Sequence, residues 1–396
     1  MSQSYFTIWR ILLQVAILVA TVSSCILPLN DFIYSDNVTM LEEAIAQYNV
    51  NPAMGWAHVL GGTSPLKPWP KDETGLVTIH YCWPDPETEA KLEEAVRGGW
   101  KLWHKLLGDG GPDKGHRVGG FSEYGGSQES SFCWLDRDRY EWNPKVPSGT
   151  LVIDALPDKT WGGFATMGYN PVEWDNRPHR NQLRMGWSTM VANHPVFQYW
   201  IAAHEIGHVL GLAHEHQRPD SKSPRPKTHP KTHCGTGEHY VHFECKNLAN
   251  YDKAEQLTRG TTGMTMDKLC ESPVFSFLSP WRQINFVPHE YSTKSYYEMF
   301  HEDQDGKYDG VDHRYTVVHD RDYDLKSIMQ YPSIMNMAGG ELFGVPKMPL
   351  VAWKEGGSDY VPPKEATDEN AEVVGFNLVP TESDQKAVKL LYPWEG

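Results

Sequence analysis

The chain has 396 residues, 40% of them apolar and 15 of them tryptophan, so it is long and apolar enough to bury a sizeable core. This composition excludes an intrinsically disordered chain, which combines low hydrophobicity with high charge. A formal net charge of −15 argues against non-specific binding to nucleic acid or to anionic membranes, so neither is expected as a partner.

The N-terminus has the features of a secretory signal peptide. Arg10 precedes a short apolar run, Ile11–Val22, which the small residues Ser23 and Ser24 follow. The run is short for a membrane span, which favours a cleaved signal peptide over residues 1–24 rather than an uncleaved anchor. We therefore expect a secreted, extracellular protein that has no membrane attachment after cleavage.

Secretion changes how the six cysteines are interpreted, because an oxidising compartment favours disulfides over metal ligands. They are Cys25, Cys82, Cys133, Cys234, Cys245 and Cys270. Three bridges are possible if Cys25 survives processing, and one cysteine is left over if it does not. The pairing stays open.

The segment that follows the signal, residues 25–66, is expected to be a pro-segment or an N-terminal extension, and one domain is expected over 67–396. Within that domain, the β-branched run in Leu76–Cys82 predicts a strand. Apolar residues at three- and four-residue spacing predict a helix over Glu87–Leu107, and they place its two tryptophans in the core.

The middle of the chain predicts further strands and a second long helix. Strands are expected at Leu151–Ala155 and Phe164–Tyr169, and an alternating edge strand at Leu183–Trp187. An extended substrate is a candidate partner for that edge strand. The second helix is expected to begin at Pro195 and to run to Leu210.

The rest of the chain is more irregular. Residues 219–279 are rich in proline and polar residues and predict a loop-rich insertion. Thr381 and Asp384 form a capping pair for a final helix that runs through Leu391. The predicted fold class is α+β, with a twisted mixed sheet and two long helices in an upper half and an irregular lower half.

One segment at the end of the second helix has the spacing of a metal site. His204 and His208 are four residues apart, so on a helix both imidazoles lie on one face, and Glu205 lies one step round from them. Gly211 can adopt the left-handed conformation that ends the helix, and the turned chain can bring His214 to the same ion.

Three neutral imidazoles leave the fourth position of a zinc ion open for water, as a catalytic site requires. The spacing therefore predicts one catalytic Zn²⁺, with Glu205 as the general base that takes a proton from water. The alternative is a helix whose histidines are solvated or packed in the core. The agreement of the spacing with the helix start and stop favours the metal.

This segment is similar to the long zinc motif of the metzincins. Glu215, directly after the third histidine, and the stretch Arg218–Pro219–Asp220 resemble the astacin family of metzincins in particular. The stretch Ser327–Tyr331 resembles the methionine-containing turn of astacins, with Met329 at the turn and Tyr331 two residues later. The resemblance covers about residues 67–396, with the insertion interrupting it.

The resemblance implies a metzincin-type catalytic domain and a secreted zinc endopeptidase that acts on protein or peptide substrates. It implies that Tyr331 helps to hold the oxyanion and ligates zinc in the resting enzyme, while Met329 packs below the metal. It also implies that Glu215 is buried and contacts a processed N-terminus. An exposed carboxylate at a helix end is the alternative for Glu215.

The chain departs from the astacin pattern in three places. Its insertion lengthens the gap between the zinc motif and the turn, Trp161–Tyr169 has no cysteine, and residues 25–66 lack a Phe-x-Gly-Asp motif. The disulfides of the family are therefore not carried over. Two other functions stay open, namely an inactive secreted binding protein on a metzincin scaffold and a metzincin of another family. The oligomeric state is not predicted.

Overall fold

The structure is a computed structural model. It describes residues 67–125, 132–156, 162–173, 175–186, 195–218, 239–271, 280–291, 299–302, 308–312, 323–338, 344–357 and 360–394. The predicted signal peptide and N-terminal segment lie outside these residues. Within the described ranges, no helix combines the length and the apolar character that crossing a bilayer requires.

The upper half, residues 67–209, is organised around a five-stranded sheet. Its strands, with those of a small hairpin, are β1 (Val77–Cys82), β2 (Val118–Glu123), β3 (Trp134–Asp136), β4 (Glu141–Trp142), β5 (Leu151–Ala155), β6 (Gly163–Ala165) and β7 (Gln182–Met185). The order in the sheet is β2-β1-β5-β7-β6, and β6 alone of these five runs antiparallel to its neighbour. Strands β3 and β4 form the separate hairpin.

Two long helices pack on this sheet, α1 (Pro86–Leu107) and α2 (Pro195–Val209). Their apolar residues share one core with the buried residues of the strands. The helices approach closely because Gly99 of α1 has no side chain. A Cβ atom at this position would lie 2.7 Å from that of Ala202 in α2. The mixed sheet and the two long helices of the predicted fold are thus confirmed.

The two tryptophans of α1 lie where the periodicity predicts. Trp103 is fully buried, and its indole Nε1 donates to the carbonyl of Ala203 in α2 at 2.7 Å. Trp100 is half-buried and packs against the same core. The helix ends at Gly108, whose φ of +72° is accessible to glycine at little cost.

The predicted edge strand is wrong in its place and length. Strand β7 ends at Met185 and lies between β5 and β6, so it has a neighbour on both sides. The edge strand on this side of the sheet is β6, which is shorter than predicted and ends at Ala165, and β2 is the edge strand on the other side. The alternation of apolar and polar residues along β7 indicates only that one face of the strand is buried, and a central strand can also have one buried face. Trp187 lies outside the described residues.

The lower half, residues 210–394, has shorter helices and, in its described part, two further small sheets. They are β8 (His239–Phe243), α3 (Tyr251–Arg259), α4 (Met266–Glu271), β9 (Met299–Glu302), β10 (Tyr308–Asp312), β11 (Leu350–Gly357), β12 (Ala371–Glu372) and α5 (Glu382–Leu391). Strands β8, β11 and β12 form one antiparallel sheet, and β9 pairs with β10. Single turns of 3₁₀ helix connect several of these elements, including Glu215–Gln217 and Pro288–Glu290.

The described part of the predicted loop-rich insertion, residues 239–271, is more regular than expected. It contains β8, α3 and α4, and a disulfide between Cys245 and Cys270 holds its ends together. Polar composition did not reveal these helices because they are short and bury few residues. A second disulfide joins Cys82 at the end of β1 to Cys133 beside the hairpin. Cys25 and Cys234 lie outside the described residues.

Candidate metal centre

The three predicted histidines converge in one buried place. His204 and His208 lie one turn apart on α2, and Gly211, with a φ of +102°, turns the chain so that His214 faces them. The Nε2 atom of His214 lies 3.2 Å from that of His204 and 3.1 Å from that of His208. Zinc–nitrogen bonds of about 2.0–2.1 Å in a tetrahedron hold nitrogens about 3.3 Å apart, so the donor set fits zinc.

The second nitrogen of each ring is held by an oxygen. Each Nδ1 atom lies 2.8 Å from its oxygen partner. The partners are the backbone carbonyl of Ile328 for His204, the backbone carbonyl of Leu212 for His208 and the side-chain Oε1 of Gln217 for His214. A carbonyl oxygen only accepts, so Nδ1 carries the proton and Nε2 presents its lone pair to the centre of the cluster. This is the arrangement that orients imidazoles toward a metal.

The electrostatics of the site favour neutral imidazoles. Burial lowers the pKa of His204 to about 4, against the smaller opposing effects of the Ile328 hydrogen bond and Glu290. Burial, helped by the neighbouring histidines, also lowers the pKa of His214 well below its ordinary value. Metal ligation requires neutral imidazole, so near neutral pH both rings are in the form that binds metal.

Glu205 follows His204 on α2 and lies against the edge strand β6. It is fully buried, and α2 brings it against the backbone of β6. A Cβ atom on Gly163 of β6 would lie 2.8 Å from both the Cγ and the Oε1 of Glu205, so only glycine fits there. The carboxylate is therefore beside the backbone of the strand that forms the edge of the sheet.

Met329 packs beneath α2. Its Sδ lies 2.5 Å from the position that a Cβ atom would take on Gly207, so the glycine between the two helical histidines admits the thioether. The turn Ser327–Tyr331 is buried throughout. The structure thus places Met329 in packing contact with the zinc-motif helix.

Tyr331 lies within the same cluster. Its ring centroid is 4.5 Å from that of His214 and 6.1 Å from that of His204. Its hydroxyl donates to Oε2 of Glu290 at 3.0 Å. The structure therefore brings Tyr331 to the histidines and adds a buried carboxylate that sequence reasoning missed.

Glu215 is buried, so the alternative of an exposed carboxylate is wrong. Its Oε1 accepts from Nη1 of Arg218 at 2.7 Å and from the backbone N–H of Asp324 at 3.0 Å. Burial raises the pKa of Glu215 to about 7, while the guanidinium of Arg218 acts in the opposite direction. The contact with a processed N-terminus stays a prediction, because the region before residue 67 is not described.

Several residues that complete the site were not identified as functional from the sequence. Gln217 follows His214 by three residues and belongs to the adjoining 3₁₀ turn, which is a weak local signal. Glu290 is 41 positions from Tyr331, and no spacing in the sequence connects them. Asp384 was recognised only as a helix cap, although it also binds the turn that contains Met329.

Comparison with known proteins adds little to this geometry. No protein-family model and no curated protein matches the chain. Among solved structures, it is similar to high choriolytic enzyme 1, a hatching-enzyme zinc protease from the medaka fish Oryzias latipes, with 13% identity and a TM-score of 0.37 over 86% of this chain and 98% of the other.

Two further solved structures are similar at the same low level. Myroilysin has 14% identity and a TM-score of 0.36 over 83% of this chain and 97% of its own. Metalloproteinase-II from Bacteroides fragilis has 16% identity and a TM-score of 0.23 over 43% and 51%. Scores this low do not establish a common fold, so the function proposed below depends on the site itself.

Proposed function

We propose that this chain is a secreted zinc-dependent endopeptidase, built on a metzincin-type catalytic domain of astacin-like character, that hydrolyses bonds in protein or peptide substrates. One observation carries the proposal. Three buried imidazoles present their Nε2 atoms to one point while oxygens hold every Nδ1, and Glu205 follows the first of them on the same helix. A structural role alone does not require three lone pairs to face one another.

His204, His208 and His214 would hold one Zn²⁺. When bound, the ion lowers the pKa of a water molecule to about 7 and polarises the carbonyl of the substrate. Glu205 is the proposed general base, which takes a proton from water and delivers it to the leaving amine. Its burial against β6 supports this role, because the carboxylate is then beside the strand that a substrate would reach.

The edge of the upper sheet supports a peptide as the substrate. Among the described strands, β6 pairs on one side only, with β7. An extended peptide that adds to β6 as a further strand would form main-chain hydrogen bonds and pass the carboxylate of Glu205. This replaces the expected pairing with Leu183–Trp187.

The other predicted site residues have supporting roles in this proposal. Tyr331 would donate its hydroxyl to the oxyanion that forms on the substrate. Gly211 and Met329 shape the site, the first by ending the helix and the second by packing below it. Glu215 would stabilise the segment after His214 through Arg218 and the backbone of Asp324.

Secretion agrees with the disulfides of the described chain. Cys82–Cys133 and Cys245–Cys270 each lie among buried side chains. Such bridges form and persist mainly in oxidising compartments. The signal peptide over residues 1–24 remains part of the proposal.

The test is a casein digestion assay on the purified protein, with its metal content measured in parallel. Wild type should contain one equivalent of zinc and should lose proteolysis with a chelator. His208→Ala should lose the metal, whereas Glu205→Ala should keep it and lose proteolysis. Full proteolysis in Glu205→Ala would show that Glu205 is not the general base. A wild-type protein that contains zinc but cleaves nothing would favour the alternative of an inactive binding protein.

A further inference from the structure

The turn Ser327–Tyr331 has an effect on the metal site that its sequence does not show. The carbonyl of Ile328 is 2.8 Å from Nδ1 of His204, so the position of this peptide decides both the orientation and the tautomer of the imidazole. The turn belongs to no helix or sheet. Other residues must therefore hold it in place.

Asp384, at the start of the distant helix α5, holds the turn. Its Oδ1 accepts from the hydroxyl of Ser327 at 2.6 Å, and its Oδ2 accepts from the backbone N–H of Ile328 at 3.0 Å. The Ser327 hydroxyl oxygen in turn accepts from the N–H of Met329 at 3.0 Å. One buried carboxylate thereby restrains three consecutive residues of the turn.

We propose that Asp384 is a positioning residue for the zinc ligand His204. It acts through Ile328, whose N–H it binds and whose carbonyl holds the imidazole. The proposal rests on the zinc site of the proposed function, since it assigns Asp384 to the affinity of that site. Outer groups that orient a metal-bound histidine typically contribute 10- to 100-fold in metal affinity.

Asp384 also stabilises α5, and the test must separate this role from positioning. Its side chain accepts from the N–H of Thr381 at 2.8 Å, and the Thr381 hydroxyl accepts from the N–H of Asp384 at 3.2 Å. This reciprocal cap stabilises the helix whether or not a metal is present. Thr381→Ala removes the cap hydroxyl, together with its contacts to Oδ2 of Asp384 at 3.1 Å and Oδ2 of Asp324 at 2.6 Å. It leaves both bonds that Asp384 accepts from the turn.

The experiment measures the dissociation constant for Zn²⁺ by competition with a chromophoric chelator, together with thermal unfolding of each variant. Asp384→Asn puts an amide in place of one carboxylate oxygen, and we expect the constant to rise about 10- to 100-fold. Thr381→Ala should lower the melting temperature and leave the constant unchanged. Asp85→Asn is the control for loss of a capping carboxylate, because Asp85 is the N-cap of α1, accepts from the N–H of Thr88 and does not contact the turn.

Two results would overturn the proposal. One is an unchanged zinc constant in folded Asp384→Asn, and the other is an equal rise in Thr381→Ala, which would assign the effect to the helix. If Asp384→Asn does not fold, Ser327→Ala removes one bond of the pair and should still weaken zinc binding. An unchanged dissociation constant for zinc in Ser327→Ala would also overturn the proposal.

The readout is independent of proteolysis. A wild-type protein that binds zinc and cleaves nothing would contradict the proposed function, while the comparison of zinc constants would still decide the role of Asp384.

Discussion

The two halves of the molecule contribute to the candidate site in different ways. The upper half supplies His204, Glu205 and His208 from a single helix, whose geometry fixes their positions relative to one another. The lower half supplies the third histidine, His214, and groups that orient the ligands or lie beside them, among them the Ile328 carbonyl and Tyr331. The comparison teaches that one helix can present two ligands and the general base, whereas the third ligand and the orientation of the rings depend on segments that follow the helix.

The largest expected effect tests whether the lower half contributes a catalytic group in addition to the ligand His214. Tyr331→Phe should lower turnover about 10²- to 10³-fold, because loss of one oxyanion donor commonly has this effect. Zinc content and folding should persist. Steady-state hydrolysis of a quenched fluorescent peptide measures the change.

Tyr291→Phe is the matched control for Tyr331→Phe. It is a neighbouring buried tyrosine whose hydroxyl donates to the backbone carbonyl of Met335. Equal turnover in Tyr331→Phe and wild type would assign Tyr331 to structure and leave His214 as the contribution of the lower half.

The pH dependence of the metal-free protein tests the buried imidazoles of both halves. The pKa of His204 is about 4 in the folded chain against 6.5 when unperturbed, so the unfolded chain binds the proton first as the pH falls. Stability should thus decrease as the pH falls from about 6.5 to 4, by about 3 kcal/mol for this residue at about 1.4 kcal/mol per pKa unit.

Urea unfolding of the metal-free protein across this pH range measures the effect. His204→Gln should flatten the slope relative to wild type, because glutamine does not titrate. An identical slope in the two proteins would show that His204 is not buried as a neutral ring.

The smallest expected effect concerns the contact between the halves. A Cβ atom on Gly207 would lie 2.5 Å from the Sδ of Met329. Overpacking of this contact in Gly207→Ala should therefore lower the free energy of unfolding by about 1–3 kcal/mol. A gain of about 1 kcal/mol in helix propensity offsets part of this loss. Calorimetric melting measures the net change.

Gly375→Ala is the control for Gly207→Ala, since a Cβ atom at Gly375 would have no atom within 4 Å. A Gly207→Ala protein that is more stable than wild type by about 1 kcal/mol, the full gain in helix propensity, would show that Met329 can move away from α2 without loss.

The sequence by itself determined the groups whose relation is local. The periodicity of α1, the capping pair of α5 and the spacing of His204, Glu205 and His208 all follow from helical geometry, which a few residues suffice to define. The left-handed turn at Gly211 could also be predicted, because glycine adopts this conformation at little steric cost.

Only the tertiary structure decided the rest. The edge position of β6, the contact of Glu290 with Tyr331 and the link from Asp384 through Ile328 to His204 join residues that are far apart in the chain. Such contacts depend on how whole elements pack, and no local period encodes them. The physical reason is that a hydrogen bond requires proximity in space, which sequence spacing specifies only within one helix, strand or turn.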